Sequence, residues 1–337
     1  MNRRIVPAAL AIIAVPALAL AGCSASAPAT DGASGIHIVA STDVYADIAA
    51  SIGGDLVTTQ AIISGAAVDP HSYEASARDQ LAVADADLII LNGGGYDPFM
   101  ETLIAASGTT ATVIVAVDAS GLLADDHDDD TTDDATEDAA DDATDDPTDD
   151  AAADDDHDDH NHVEGFNEHV WYSLHGMEHL AEAIEAALVE LDPAGDATFE
   201  ANTAECLAGR ASLGTRAAAL GASGGHADPL VSEPVALHLL DEVGIENVTP
   251  EAFTSAVEAG SEISIGLLDE VLSLATSGDI GLLAYNEQTV GPETERLLQA
   301  AEGAGVPVVS FSETLPAGQD YLSWMRTNLE AIATAVS

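Results

Sequence analysis

The chain has 337 residues, is 47% apolar and carries a formal charge of −53, with 60 acidic residues against seven arginines and no lysine. Its length allows two ordinary domains with real cores, while its acidity argues against nucleic acid or anionic lipid as partners and for cations. Much of the charge lies between Asp125 and Asp159, so a single segment carries it.

At the N-terminus, Arg3 and Arg4 precede an apolar run from Ile5 to Leu20, and "LAGC" follows at 20–23. A basic start, a short apolar core and small residues before a cleavage point predict a secretory signal over 1–22. The ending resembles the bacterial lipobox, in which the cysteine, here Cys23, becomes the lipidated first residue of the mature protein. The expected location is the outer face of the cell membrane, held by lipid. A transmembrane anchor is the alternative, although the run is marginal for a span. Residues 23–35, rich in Ser, Ala, Pro, Thr and Gly, read as a flexible tether. Cys206 is then left without a partner, which argues against a structural disulfide and for a small buried hydrophobe.

From Gly35 the texture is α/β. "GIHIVAS" (35–41), "LVTTQAII" (56–63), "DLIILNG" (87–93) and "ATVIVAV" (111–117) read as strands, with alanine-rich helical patterns at 43–52 and 77–86 between them. Strands alternating with helices predict a mostly parallel sheet covered on both faces. The stretch 125–162 is almost entirely Asp, Ala, Thr and His and has nothing to bury, so it is expected to lack structure. Helical texture returns at 177–191 and continues in a longer pattern over 196–220, broken by "ASGGHADP" (222–229).

A second α/β block follows: "PLVSE" (229–233), a helix from Pro234, a strand at 280–286, a helix at 292–305, a strand at 306–312 and a closing helix at 318–336. "ARDQLAVADADLIILNGGG" (77–95) and "LLDEVLSLATSGDIGLLAYN" (267–286) share a helix–strand rhythm, a faint echo that suggests two similar lobes.

Two histidines stand out. His71, in "VDPHSYEAS" (68–76), lies between a strand and a helix, on the edge of a parallel sheet where ligands bind. His169, in "NEHVWYS" (167–173), is set among apolar and aromatic residues. Each alone is unremarkable. Together with "STDVYADIAASIGGD" (41–55), "ADLIILNGGGYDPFM" (86–100) and "EHVW" (168–171), they make the chain resemble the solute-binding proteins of zinc and manganese ABC transporters, from about Ile36 to the C-terminus.

The resemblance implies two α/β lobes with mostly parallel sheets, joined by a long rigid helix, with a metal ion bound between them. It places an N-terminal lobe at 36–195, the linker helix at 196–221 and a C-terminal lobe at 222–337. It also implies a set of metal ligands: His71, His169, Glu233 in "VSEPVALHLL" and Glu313 in "FSETLP". Either glutamate could instead cap its neighbouring helix. Two neutral imidazoles and two carboxylates balance a +2 ion, and imidazole favours zinc and other borderline ions over calcium or magnesium. Two carboxylates also permit manganese. The His-rich segment favours zinc, and His157, His160 and His162 are expected to collect it weakly. The implied partners are a membrane permease and its ATPase, and no enzymatic activity is expected.

Three other readings compete. Receptors for siderophores or cobalamin would call for an aromatic or arginine-rich cleft, and this chain has 4% aromatics. A surface adhesin or metal-storage protein would work through the acidic segment. A metallohydrolase would need an open coordination position. His175 and His179, four apart, read as a solvated helix face or as a second zinc site with Glu178 and Glu182. "NGGGY" (92–96) lacks the spacing of a phosphate loop and reads as a tight strand exit, and "DDHDDD" lacks the glycine and closing glutamate of a calcium loop.

Overall fold

The computed structural model describes residues 35–65, 70–125, 165–223 and 228–337. The signal at 1–22, Cys23 and the tether before Gly35 lie outside the described residues, as do the acidic stretch from residue 126 and His157, His160 and His162.

Chain order begins with β1 (Ile36–Thr42), α1 (Asp43–Gly53), β2 (Val57–Ile63), α2 (Ala77–Ala84), β3 (Leu88–Leu91), α3 (Pro98–Ser107), β4 (Thr112–Val115), α4 (Ala116–Ser120) and α5 (Leu122–Asp125). The strands form a parallel sheet in the order β2-β1-β3-β4, with Ile36 opposite Val57, Ile38 opposite Leu88 and Leu88 opposite Thr112. β3, "LIIL", is buried throughout, because helices cover both faces and an unbroken apolar run satisfies both.

Next come α6 (Leu174–Leu191), α7 (Asp196–Ala222), β5 (Pro229–Val231), α8 (Leu237–Val243), α9 (Glu251–Glu258), α10 (Ile265–Ala275), β6 (Leu282–Asn286), α11 (Pro292–Ala304), β7 (Val308–Phe311) and α12 (Tyr321–Ala335). A second parallel sheet has the order β5-β6-β7. It repeats the β1-β3-β4 part of the first, so the echo between 77–95 and 267–286 corresponds to the middle strand of each trio.

The mixed α/β fold, the parallel sheets and the long helix are as anticipated. α7 has 27 residues and is therefore about 40 Å long. It packs on α1 and α6 beside the first sheet and on α8 and α12 beside the second. A single apolar cluster runs through this region, from Ile38, Val44 and Trp171 to Leu213, Leu239 and Trp324, and a smaller cluster covers the far face of each sheet. Cys206 departs from expectation. It is half-buried, in a crevice with Asp47, Ser51 and Tyr321 rather than in the core.

Several boundaries shift for local reasons. The run 111–117 divides, since β4 stops at Val115 and the chain coils into α4. The closing helix starts at Tyr321 because Asp320 caps it reciprocally with Ser323. α3 was not anticipated; Pro98 at its first turn and the left-handed Gly108 at its end delimit it.

Candidate metal centre

The C-terminal ends of the parallel strands supply most of the site. His71 lies in the loop after β2, Asn92 follows β3, Glu233 stands two residues beyond β5, Asn286 ends β6, and Glu313 stands two residues beyond β7. His169 comes from the short 3-10 turn region before α6. Asp43, in the first turn of α1, ties the loops together, because its two oxygens accept from Gly65 N and Leu315 N, both at 2.9 Å.

The structure brings the four anticipated residues together. His71 Nε2 is 3.8 Å from Glu313 Oε2, with side-chain exposures of 11% and 0%. The rings of His71 and His169 lie 6.0 Å apart. Asn286 donates from Nδ2 to Glu233 Oε2 at 2.5 Å and to Glu313 Oε1 at 2.8 Å, so one amide fixes both carboxylates. Glu313 also accepts from Tyr96 Oη at 3.1 Å, and its backbone N–H donates to Gln288 Oε1 at 2.6 Å. Glu233 occupies a helix-cap position but makes no capping bond. Its side chain turns to Asn286 instead.

His169 is held as firmly. His169 Nδ1 lies 2.8 Å from Asn167 Oδ1. With the proton on Nδ1 donating to that oxygen, Nε2 carries the lone pair, which is the tautomer a metal ligand needs. Asn167 is fixed in turn, since its Nδ2 donates to Pro234 O at 3.0 Å. Tyr96 stands edge-on to His71 with ring centres 4.9 Å apart, and Trp171 to His169 at 5.2 Å. These aromatic rings wall one side of each imidazole.

Two further glutamates complete the cluster. Ligand atoms of His71, His169 and Glu258 all lie within 4.8 Å of one another, and His169 Nδ1 is 3.8 Å from Glu258 Oε1. Glu168 is buried beside them. Burial raises the Glu258 carboxyl to about 9, and the charges of Glu168, Glu233 and Glu313 add to the rise. Four carboxylates thus share one poorly hydrated space. Two cavities open onto it, one of about 400 Å³ past His71 and Gln288 and one of about 590 Å³ past Phe166 and Glu168. Glu258 lines both, and among the described residues neither has an arginine in its wall. Such crowding calls for a cation, because like charges out of water are costly unless compensated.

Sequence reasoning missed Glu258, Glu168, Asn286 and Asn167. Asn167 and Glu168 directly precede His169 within "NEHVWYS", so the motif held a signal. Glu258 ends an ordinary amphipathic helix, and no pattern marks it.

Paired imidazoles among carboxylates, set near the strand ends of two parallel sheets, form a candidate centre for a divalent cation. The chain belongs to the family described as "Zinc-uptake complex component A periplasmic", whose model matches residues 38–335. It is 27% identical over 192 residues to the manganese-binding lipoprotein MntA of Halalkalibacterium halodurans, covering 57% of this chain and 52% of the relative. It is 24% identical over 334 residues to the zinc-binding lipoprotein AdcA of Streptococcus pneumoniae, covering 96% of this chain and 60% of that one. The chain therefore spans between half and two thirds of the length of these relatives. Among solved structures, the periplasmic zinc-binding protein TroA of Treponema pallidum has the same fold, with a TM-score of 0.67 at 17% identity, covering 90% of this chain and 99% of that one. A laminin-binding adhesin of Streptococcus agalactiae also shares it, with a TM-score of 0.65 at 18% identity over 90% of this chain and all of that one.

Proposed function

We propose that the protein captures a divalent transition-metal ion outside the cytoplasm and delivers it to an ABC permease and its ATPase for uptake. The observation that carries this reading is the convergence of His71 and His169 with buried carboxylates and, among the described residues, no arginine in the walls of the cavities beside them. In this proposal the ion sits between the two sheets. His71, His169, Glu233 and Glu313 are the proposed ligands, the two carboxylates aligned by Asn286 and balancing the ion's charge, and Glu258 stands beside the two histidines as a further candidate. The lobe boundaries at 36–195 and 222–337, the linker at 196–221 and lipidation at Cys23 belong to the same reading. The names of the relatives support the extracytoplasmic lipoprotein character.

Zinc is the proposed cargo, since paired imidazoles suit a borderline ion and His157, His160 and His162 would add further imidazoles to collect it. A second reading, manganese, is favoured by one observation: with Glu258 included, carboxylates outnumber imidazoles, which suits a harder ion of higher coordination. Delivery then requires the permease to favour a form of the protein that binds the ion less well, because only differential affinity drives release.

The test is to titrate zinc and manganese separately into the protein and into His71→Ala. The expected result is one tight ion, lost in the variant, with the tighter metal naming the cargo. Tight binding that survives His71→Ala would place the site elsewhere and overturn the assignment.

A further inference from the structure

Outside the buried centre, the strongest group of metal-ligating side chains among the described residues lies at the start of α6. His175 and His179 are one helical turn apart and share a face. Their rings touch edge to face, with centres 4.7 Å apart and planes at 71°. One carboxylate meets a ring of the pair and another reaches its backbone. Glu182 Oε2 is 3.7 Å from His179 Nδ1, and Glu242, reaching over from α8, accepts from the backbone N–H of His175 at 3.2 Å. Arg210, which reaches α6, is engaged by Glu178.

We propose that His175 and His179 form a second divalent-cation site, weaker than the buried one, with Glu182 and Glu242 supplying oxygen ligands. The face was expected to be either merely solvated or metal-binding, and three observations decide for the second. The rings already touch on one helix face, so both can turn a nitrogen toward one ion without moving the backbone. The frame beneath them is rigid, since Ser173 caps the helix through Gly176 N and Leu174, Met177 and Leu180 are buried under it. Glu242 comes from another helix, so the group is a tertiary arrangement and not only a feature of local spacing.

The donor set defines the class of ion. Two imidazole nitrogens with carboxylate oxygens select zinc, nickel or copper over calcium or magnesium. The exposed setting leaves coordination positions for water, so binding is looser and exchange faster than in a closed four-ligand site. The site does not depend on the cargo assignment above, because it shares no residue with the buried centre.

The experiment is anomalous diffraction at the zinc edge on crystals of the protein soaked in zinc chloride, paired with zinc titration of the wild type, His175→Gln and His179→Gln. The expected result is a zinc peak between the two imidazoles, together with a weaker binding step that each substitution shifts by about a hundredfold, the lower range of gain from linking two ligands. The tight step should stay in place. Both positions are at the surface, so equal melting temperatures of the metal-free variants will verify their fold. Zinc in the buried centre with none at the pair would overturn the proposal. A weaker step unchanged in both variants would overturn it too, and would assign that step to other histidines.

Discussion

Glu258→Gln separates a binding role from a structural one, because the two predict opposite signs. In the metal-free fold the carboxyl is held at about 9, far above its ordinary 4.5, by burial and then by Glu168, Glu233 and Glu313. An acid whose value is raised on folding costs stability as pH climbs above the ordinary value, and the cost stops growing at the folded one. Each pH unit in that window costs about 1.4 kcal/mol, so at pH 7 wild type gives up about 3 kcal/mol to this one group. Glutamine keeps the shape and removes the charge. The metal-free variant should therefore be more stable than wild type at pH 7 by up to about 3 kcal/mol, and the difference should vanish as pH falls toward 4.5. Metal binding should move the other way, weakening at least about a hundredfold, or about 2.7 kcal/mol, for the loss of an anionic ligand. Thermal or urea unfolding with and without zinc reads both effects in one series. If the metal-free variant gains nothing at pH 7, the carboxylates are not crowded as described. If zinc stabilises both proteins equally, Glu258 does not bind the ion.

Three further outcomes follow from individual contacts. Asn286→Ala removes the amide shared by Glu233 and Glu313, and two hydrogen bonds to charged acceptors predict a loss of about 3 kcal/mol or more in the metal-free protein. A urea midpoint close to wild type would mean the carboxylates are compensated elsewhere. Asp97 is buried and raised to about 6 despite accepting from Asn92 N and Gly93 N. Wild-type stability should thus fall by about 3 kcal/mol as pH rises from about 4 to 6, and Asp97→Asn should lose that part of the slope. Identical slopes would refute the shift. Gly94 has φ +67°, and an added Cβ would lie 3.3 Å from Glu168 Cβ. Gly94→Ala should cost about 1–2 kcal/mol through the left-handed backbone and weaken metal binding by displacing the Glu168–His169 segment, both measurable on one sample.

How much of this was legible depended on where each residue's signal resides. The strands were readable because each is a short apolar run covered on both faces, and a run such as "LIIL" has few other fates. His71 and His169 were readable through sequence neighbours that recur with them. Glu233 and Glu313 were readable only through the family resemblance, which singles out the residue just after a strand of the second lobe. Asn92 and Asn286 close the matching strands β3 and β6, and the echo between halves already contained both. Their roles were not legible, since only the folded chain shows Asn286 between two carboxylates and Asn92 donating to Glu168 O at 3.0 Å. Glu258 was hidden for a plainer reason. It ends a helix whose pattern records only what α9 buries, and the two histidines it meets lie 89 and 187 positions away in the chain. The division of 111–117 into strand and helix was equally out of reach, because an apolar run does not encode where its sheet stops.

The carboxylates of the centre are of two mechanical kinds, and this predicts where the protein moves. Glu233 and Glu313 are pinned by Asn286, and Glu313 also by Tyr96 and Gln288, from strand ends inside the core. Glu258 comes from α9, which packs chiefly on α10 and on the Pro234–Ala236 turn. Its side chain is 15% exposed, and it borders both openings. Binding an ion should therefore leave the strand ends unchanged and tighten the end of α9, since local order is gained where it was least secured. Hydrogen exchange with and without zinc is the measurement. Slower exchange over 256–261, with little change at 231–233 and 311–313, is the expected pattern. Equal protection of both groups would mean that the centre closes as one unit, and that Glu258 is no looser than the carboxylates behind it.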